Sequence, residues 1–146
     1  MTHYHHTPQG LVAFTPEEET AWAAAAADAA LPNALDLFKA RRDRAVNAGV
    51  AHNGHTWQTD PPSQHAMASA VTLGTAYEDA TGQPWSTKWK TASGYVTVNL
   101  TQLVTAGLVV GAHVQACFAR EDELIDQATG GDVSGALADI ENGWPG

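Results

Sequence analysis

Gly49-Val50-Ala51-His52-Asn53-Gly54-His55-Thr56-Trp57-Gln58-Thr59-Asp60-Pro61-Pro62-Ser63 carries two structural instructions in one short stretch. Val50–His52 and His55–Gln58 flank Asn53-Gly54. That dipeptide is the strongest short-range hairpin signal, because both central residues of a type I′ turn need positive φ. Asp60 follows at once, able to cap a helix whose first position is Pro61. A tight antiparallel hairpin feeding straight into a helix is the syntax of an α+β domain. A parallel sheet would need a crossover of a dozen or more residues instead.

Downstream, the helix runs from about Pro62 to Glu78, with Met67, Ala70, Val71, Gly74 and Tyr77 on its buried face. Gly82-Gln83-Pro84 makes a loop. Trp85–Lys90, the turn Ala92-Ser93-Gly94 and Tyr95–Leu100 then read as a second hairpin, with Trp89 and Tyr95 half-buried on its pleat. Thr101 caps the longest helix, through about Asp126. Its apolar stripe is Leu103, Ala106, Val110, Val114, Cys117 and Phe118. Gly130-Gly131 ends it, and Asp132 or Ser134 opens a short helix over Gly135–Glu141.

Upstream, Asn33 caps a helix through Ala48, with Leu35, Phe38, Ala45 and Val46 on one face and Gly49 as its stop. Pro32 separates it from an alanine-rich helix that Thr15-Pro16-Glu17-Glu18 opens as a capping box. Trp22 is the one large apolar residue between Glu17 and Ala30. Such a helix forms readily but has little side-chain area to bury, so it is expected to dock on a neighbour. His3–His6 and Leu11–Phe14 around Thr7–Gly10 make an N-terminal hairpin. The fold class is α+β: a small helical domain with two short β-hairpins, preceded by an N-terminal hairpin and an Ala-rich helix. The expected division is 1–32, a docking or oligomerisation segment, and 33–146, the α+β domain.

Composition narrows the function. The chain has 146 residues, 44% apolar and 16% charged, with a net charge of −9. This lacks the cationic footprint of a general nucleic-acid binder. Cys117 is alone, so no internal disulfide forms. No stretch reaches the roughly 18 consecutive apolar residues of a membrane span, so no membrane insertion is expected. Met1–His6 does not read as a signal peptide.

Five constellations invite chemistry. His3, His5 and His6 crowd the N-terminus, and His52 and His55 flank the Asn-Gly turn, but no third or fourth ligand with zinc spacing accompanies either group. His113 and Cys117 share a helix face, which could pair a thiol with an imidazole. They sit inside the apolar stripe, which favours packing. Glu121, Asp122, Glu123 and Asp126 read as a solvated helix face. Lys39, Arg41, Arg42 and Arg44, interrupted by Asp43, read as a face making local ion pairs or meeting an acidic neighbour. Trp57, Trp85 and Trp89 are expected in the core between hairpins and helices. No catalytic, cofactor-binding or metal-ligating residue is assigned, no cofactor is expected, and the chain is expected not to be an enzyme.

Several stretches together resemble a known family. These are Ala40-Arg41-Arg42-Asp43, Gly49–Trp57, Thr59-Asp60-Pro61-Pro62-Ser63-Gln64, Trp89, Val96-Thr97-Val98, Leu103 and Ala112-His113-Val114-Gln115-Ala116-Cys117-Phe118-Ala119-Arg120. In this order they are similar to a domain of unknown function of phage and prophage tail proteins encoded in the tail-fibre region. The resemblance implies a structural component of a tailed-phage virion, a tail-fibre or baseplate-associated accessory that mediates protein–protein attachment. The alternative is a tail-fibre assembly chaperone absent from the mature particle. Implied partners are other tail, baseplate or fibre proteins and further copies of the chain, a trimer being favoured, with contact to a host surface open. The implied locations are the virion and, during assembly, the host cytoplasm.

Overall fold

The computed structural model describes residues 2–146. In chain order the elements are β1 (Tyr4–Thr7), β2 (Gly10–Ala13), α1 (Pro16–Val46), β3 (Val50–His52), β4 (His55–Trp57), α2 (Pro61–Thr81), β5 (Ser86–Thr91), β6 (Gly94–Asn99), α3 (Leu100–Thr129) and α4 (Val133–Ala138). Each strand pairs antiparallel with its neighbour, giving three separate two-stranded sheets. The class is α+β.

The Asn53-Gly54 turn forms as read, with φ of 50° and 77°. It sets His52 directly opposite His55 and Val50 opposite Trp57. The indole of Trp57 is buried, and its Nε1 donates to the His52 carbonyl at 3.1 Å. Gly49 joins α1 to β3 at φ 85°, where a Cβ would meet the Trp57 carbonyl oxygen at 3.0 Å. Thr59, fully buried, ties this corner together. Its hydroxyl donates to the Val46 carbonyl and accepts from the Gly49 amide at 2.9 Å. The two central hairpins also join. The Ala92 amide donates to the Thr56 carbonyl, and the Thr56 amide donates to the Ser93 hydroxyl, each at 2.8 Å.

All of this gathers on α3, which touches α1, α2, α4, β3 and β6. Its first half packs Leu103, Ala106 and Val110 against Trp57, Met67 and Val98. Its middle packs Val114 and Cys117 against Ala45 and Val46. Its last turns pack Leu124 and Ala128 against Ala34, Phe38 and Ala136. By length and composition α3 could cross a membrane. Its buried stripe, however, faces three helices, and its last turns carry Arg120, Glu121, Asp122, Glu123 and Asp126, as suits the central helix of a folded domain.

Several boundaries differ from the sequence reading. Pro32 does not end a helix: α1 runs unbroken for 31 residues, about 46 Å. Asn33, expected to cap a second helix, lies inside α1 instead; Leu31 is no cap and no glycine follows, so stopping there would strand the last carbonyls of the first segment. Pro32 and Asp28, whose carbonyl loses its partner, are both exposed, so water can satisfy that oxygen. Asn99, not Thr101, caps α3. Its Oδ1 accepts from the Gln102 amide at 2.8 Å, and the Gln102 side chain accepts from the Asn99 amide at 3.0 Å. α2 extends at both ends, α3 continues to Thr129, and α4 covers Val133–Ala138 with Asp132 as cap. Tyr77, Tyr95 and Phe118, all expected to be at least half-buried, are exposed; Tyr95 is 73% exposed.

Pro32→Ala restores an N–H to the middle of α1 and should raise stability by about 1–3 kcal/mol, read as a higher urea midpoint. A fall in the midpoint would contradict the account of the exposed, tolerated proline. Asp60 caps α2, accepting from the Ser63 hydroxyl at 2.7 Å and the Ser63 amide at 3.0 Å. These bonds hold its carboxyl below the ordinary value of 3.8. Their contribution is therefore complete above that pH and is lost as pH falls through the lowered value. Asp60→Ala should lower stability by about 1 kcal/mol at neutral pH, and the two proteins should converge in acid.

Candidate functional site

The arginines of the basic cluster are paired within the molecule. Arg41 Nε and Arg44 Nη2 reach the two oxygens of Glu141 at 2.7 and 2.8 Å. Arg42 Nη1 binds Glu121 at 2.6 Å and its Nη2 binds Asp43 at 2.7 Å. Arg41 also lies over the Trp144 ring and Arg42 over the Phe118 ring. Arg120 binds Glu123 and Asp139 and donates to the Asn142 carbonyl. The four arginines thus clamp the C-terminal segment and α3 to α1. The expected local ion pairing is found only between Arg42 and Asp43; Arg41, Arg42 and Arg44 otherwise reach acids far away in sequence, and Lys39 makes no ion pair among the described residues. The solvated-face reading of the acidic run needs correction at Glu121, which is buried against Arg42. Glu141, which no sequence motif marks, is the acid that gathers two of the arginines.

His113 and Cys117 do meet. Cys117 Sγ lies 3.7 Å from His113 Nε2, and both residues are buried. That nitrogen also sits 3.0 Å from the Ala45 carbonyl, which can only accept, so Nε2 carries the proton. It cannot then take a proton from the thiol. Burial pushes the thiol pKa up against a weaker opposing pull from Arg41. His113 Nδ1 is buried and has no partner among the described residues. The pair joins α1 to α3 by packing and one hydrogen bond.

His52 and His55 face each other across the turn, beside a small cavity of about 100 Å³ that Trp57, Val98 and Gln102 help line. His52 Nε2 already contacts the Asn53 amide at 3.1 Å. At the N-terminus, His3 Nδ1 meets Glu19 at 2.7 Å and His5 Nε2 meets Glu18 at 2.8 Å. The His3 ring stacks on Trp22 at 3.7 Å. These contacts seat the β1–β2 hairpin on the first turns of α1. Among the described residues, no group of three His, Cys, Asp or Glu side chains is placed to hold a metal. Trp57 is a core residue, with Trp85 and Trp89 packed on the same cluster.

Among the exposed apolar side chains of the described residues, two surfaces matter for docking. One is the alanine-rich part of α1: residues 21–29 are exposed throughout, and Trp22 is 48% exposed despite its stack on His3. The other is a groove of about 410 Å³ between α2 and α3. Its walls are chiefly Met67, Ala68 and Val71 on one side and Val104, Leu108 and Gly111 on the other. Hairpin spacing and alanine content pointed to the first surface. The second came from the tertiary arrangement of two helices.

Cys117 should resist a thiol reagent in the native protein and react only as fast as the whole domain unfolds. Immediate labelling of the folded protein would contradict its placement.

No curated protein and no solved structure matches the chain. The sequence model of one family, described as a domain of unknown function (DUF4376), matches residues 28–142. The match takes in α2, α3, α4, both central hairpins and most of α1, and on that extent the chain belongs to the DUF4376 family.

Proposed function

We propose that this protein is a structural component of a tailed-phage virion, a tail-fibre or baseplate-associated accessory that attaches one tail protein to another. Residues 1–32 form the docking segment and residues 33–146 the body it carries. The observation that carries this reading is the bare alanine face of α1. A rigid helix that exposes residues 21–29 on all sides gains little from its own chain, and it holds a hairpin and a half-exposed tryptophan at its far end. A tryptophan flanked by small residues is the kind of anchor on which protein interfaces concentrate their energy. The family match begins at residue 28, inside α1, so the hairpin and most of the alanine turns lie outside the shared domain. That suits a common body with an attachment arm.

The resemblance of the Gly49–Gln64 and Ala112–Arg120 stretches to tail proteins supplies the setting. The apolar and small-residue character of the arm favours a protein partner over nucleic acid, and the net charge of −9 points the same way.

Mass spectrometry of purified phage particles carrying this coding sequence should find the protein in amounts comparable with other tail subunits. Trp22→Ala should lower its incorporation without changing its fold by circular dichroism. Particles that lack the protein would refute the virion reading. If soluble fibres nevertheless required its co-expression, it would be an assembly chaperone.

A further inference from the structure

We infer that the groove between α2 and α3 is the self-association face of this protein, and that its occupant is the same face of a second copy related by a two-fold axis. This inference concerns residues 61–119 and is independent of what the N-terminal arm docks on.

The first observation is charge. Residues 61–77 and 91–119 contain no Asp, Glu, Lys or Arg, although the chain carries 16 acidic and 7 basic residues. These two stretches supply both walls of the groove. Two copies, each at −9, repel one another over most of their surface and can meet without that penalty where neither carries charge. A partner of different, charged character would bury unpaired charge against these walls.

The second observation is spacing. Val104, Leu108, Gly111, Gln115 and Phe118 follow one another in alternate steps of four and three along α3, the repeat with which one helix meets another. All five are exposed, Leu108 at 70%. They form a seam separate from the buried stripe of Leu103, Ala106, Val110 and Cys117 that serves the molecule's own core.

The third is a glycine without an internal cause. A Cβ built at Gly111 meets nothing within 4 Å. In a helix interior, glycine is about 1 kcal/mol less favourable than alanine, and nothing in the monomer requires that sacrifice. A second helix crossing close to the backbone at that point does. In the two-fold arrangement the groove of each copy, Leu108 included, faces the same groove of the other, so the contact is self-complementary and closed. A close crossing at glycine favours a pair of helices over the trimer expected from the tail-fibre resemblance, because three seams on one axis would leave a void there.

Sedimentation equilibrium of the full chain should give the mass of two copies at micromolar concentration, tightening as salt screens the repulsion between them. Leu108→Glu should weaken association about 100-fold while retaining the helical circular dichroism signal. Gly111→Gln, whose side chain enters open space in the monomer, should do the same and serves if Leu108→Glu fails to fold. A wild type that stays a single chain overturns the proposal. So does an oligomer unaffected by either folded variant, or a trimer that they dissolve. Binding to phosphatidylcholine vesicles in place of self-association overturns it as well.

Discussion

The buried stripe of α3 is the constraint on which the rest of the molecule depends. Among the described residues no sheet is wider than two strands, and an isolated hairpin is marginal in water. Each hairpin must therefore borrow a hydrophobic surface. The two central hairpins and α2 take theirs from Leu103, Ala106 and Val110, while α1 and α4 take theirs from Val114 through Ala128. Removing the stripe would leave these elements with no common surface.

A second layer of order comes from charge. Only seven basic residues face sixteen acids, and four of them, Arg41, Arg42, Arg44 and Arg120, join elements distant in sequence. Glu121 is buried and Arg42 partly so, and the bond between them compensates desolvation as much as it adds stability. This use of arginine leaves the long uncharged stretches on α2 and α3 free of ionic roles. The same division of labour leaves one end of α1 bare and the other firmly held.

Local signals proved legible where the physics is local. Asn53-Gly54 dictated its turn, because few residue pairs accept that backbone. Asp60-Pro61 opened α2, and Thr15 with Glu18 opened α1 as a capping box. Pro32 misled because its cost is also local but is outweighed by the stranded carbonyls that a break would create and by the anchoring of Ala34 and Phe38. Asn99 hid in the alternation of β6, although Asn99 and Gln102 have capping-box spacing. Phe118 and Tyr77 fit the period of a buried face but lie at its edges, where packing neighbours run out.

Residue order by itself determined the α+β class, the three hairpins and the starts of α1 and α2, since each follows from backbone preference or hydrophobic period. Only the tertiary structure decided which side of each stripe is covered, that Glu141 gathers Arg41 and Arg44, that His113 donates its ring hydrogen bond to the Ala45 carbonyl rather than serving Cys117, and that α2 and α3 leave an uncharged groove between them. Those are properties of distances between residues far apart in the chain. Periodicity says that a face is apolar, but not what it meets.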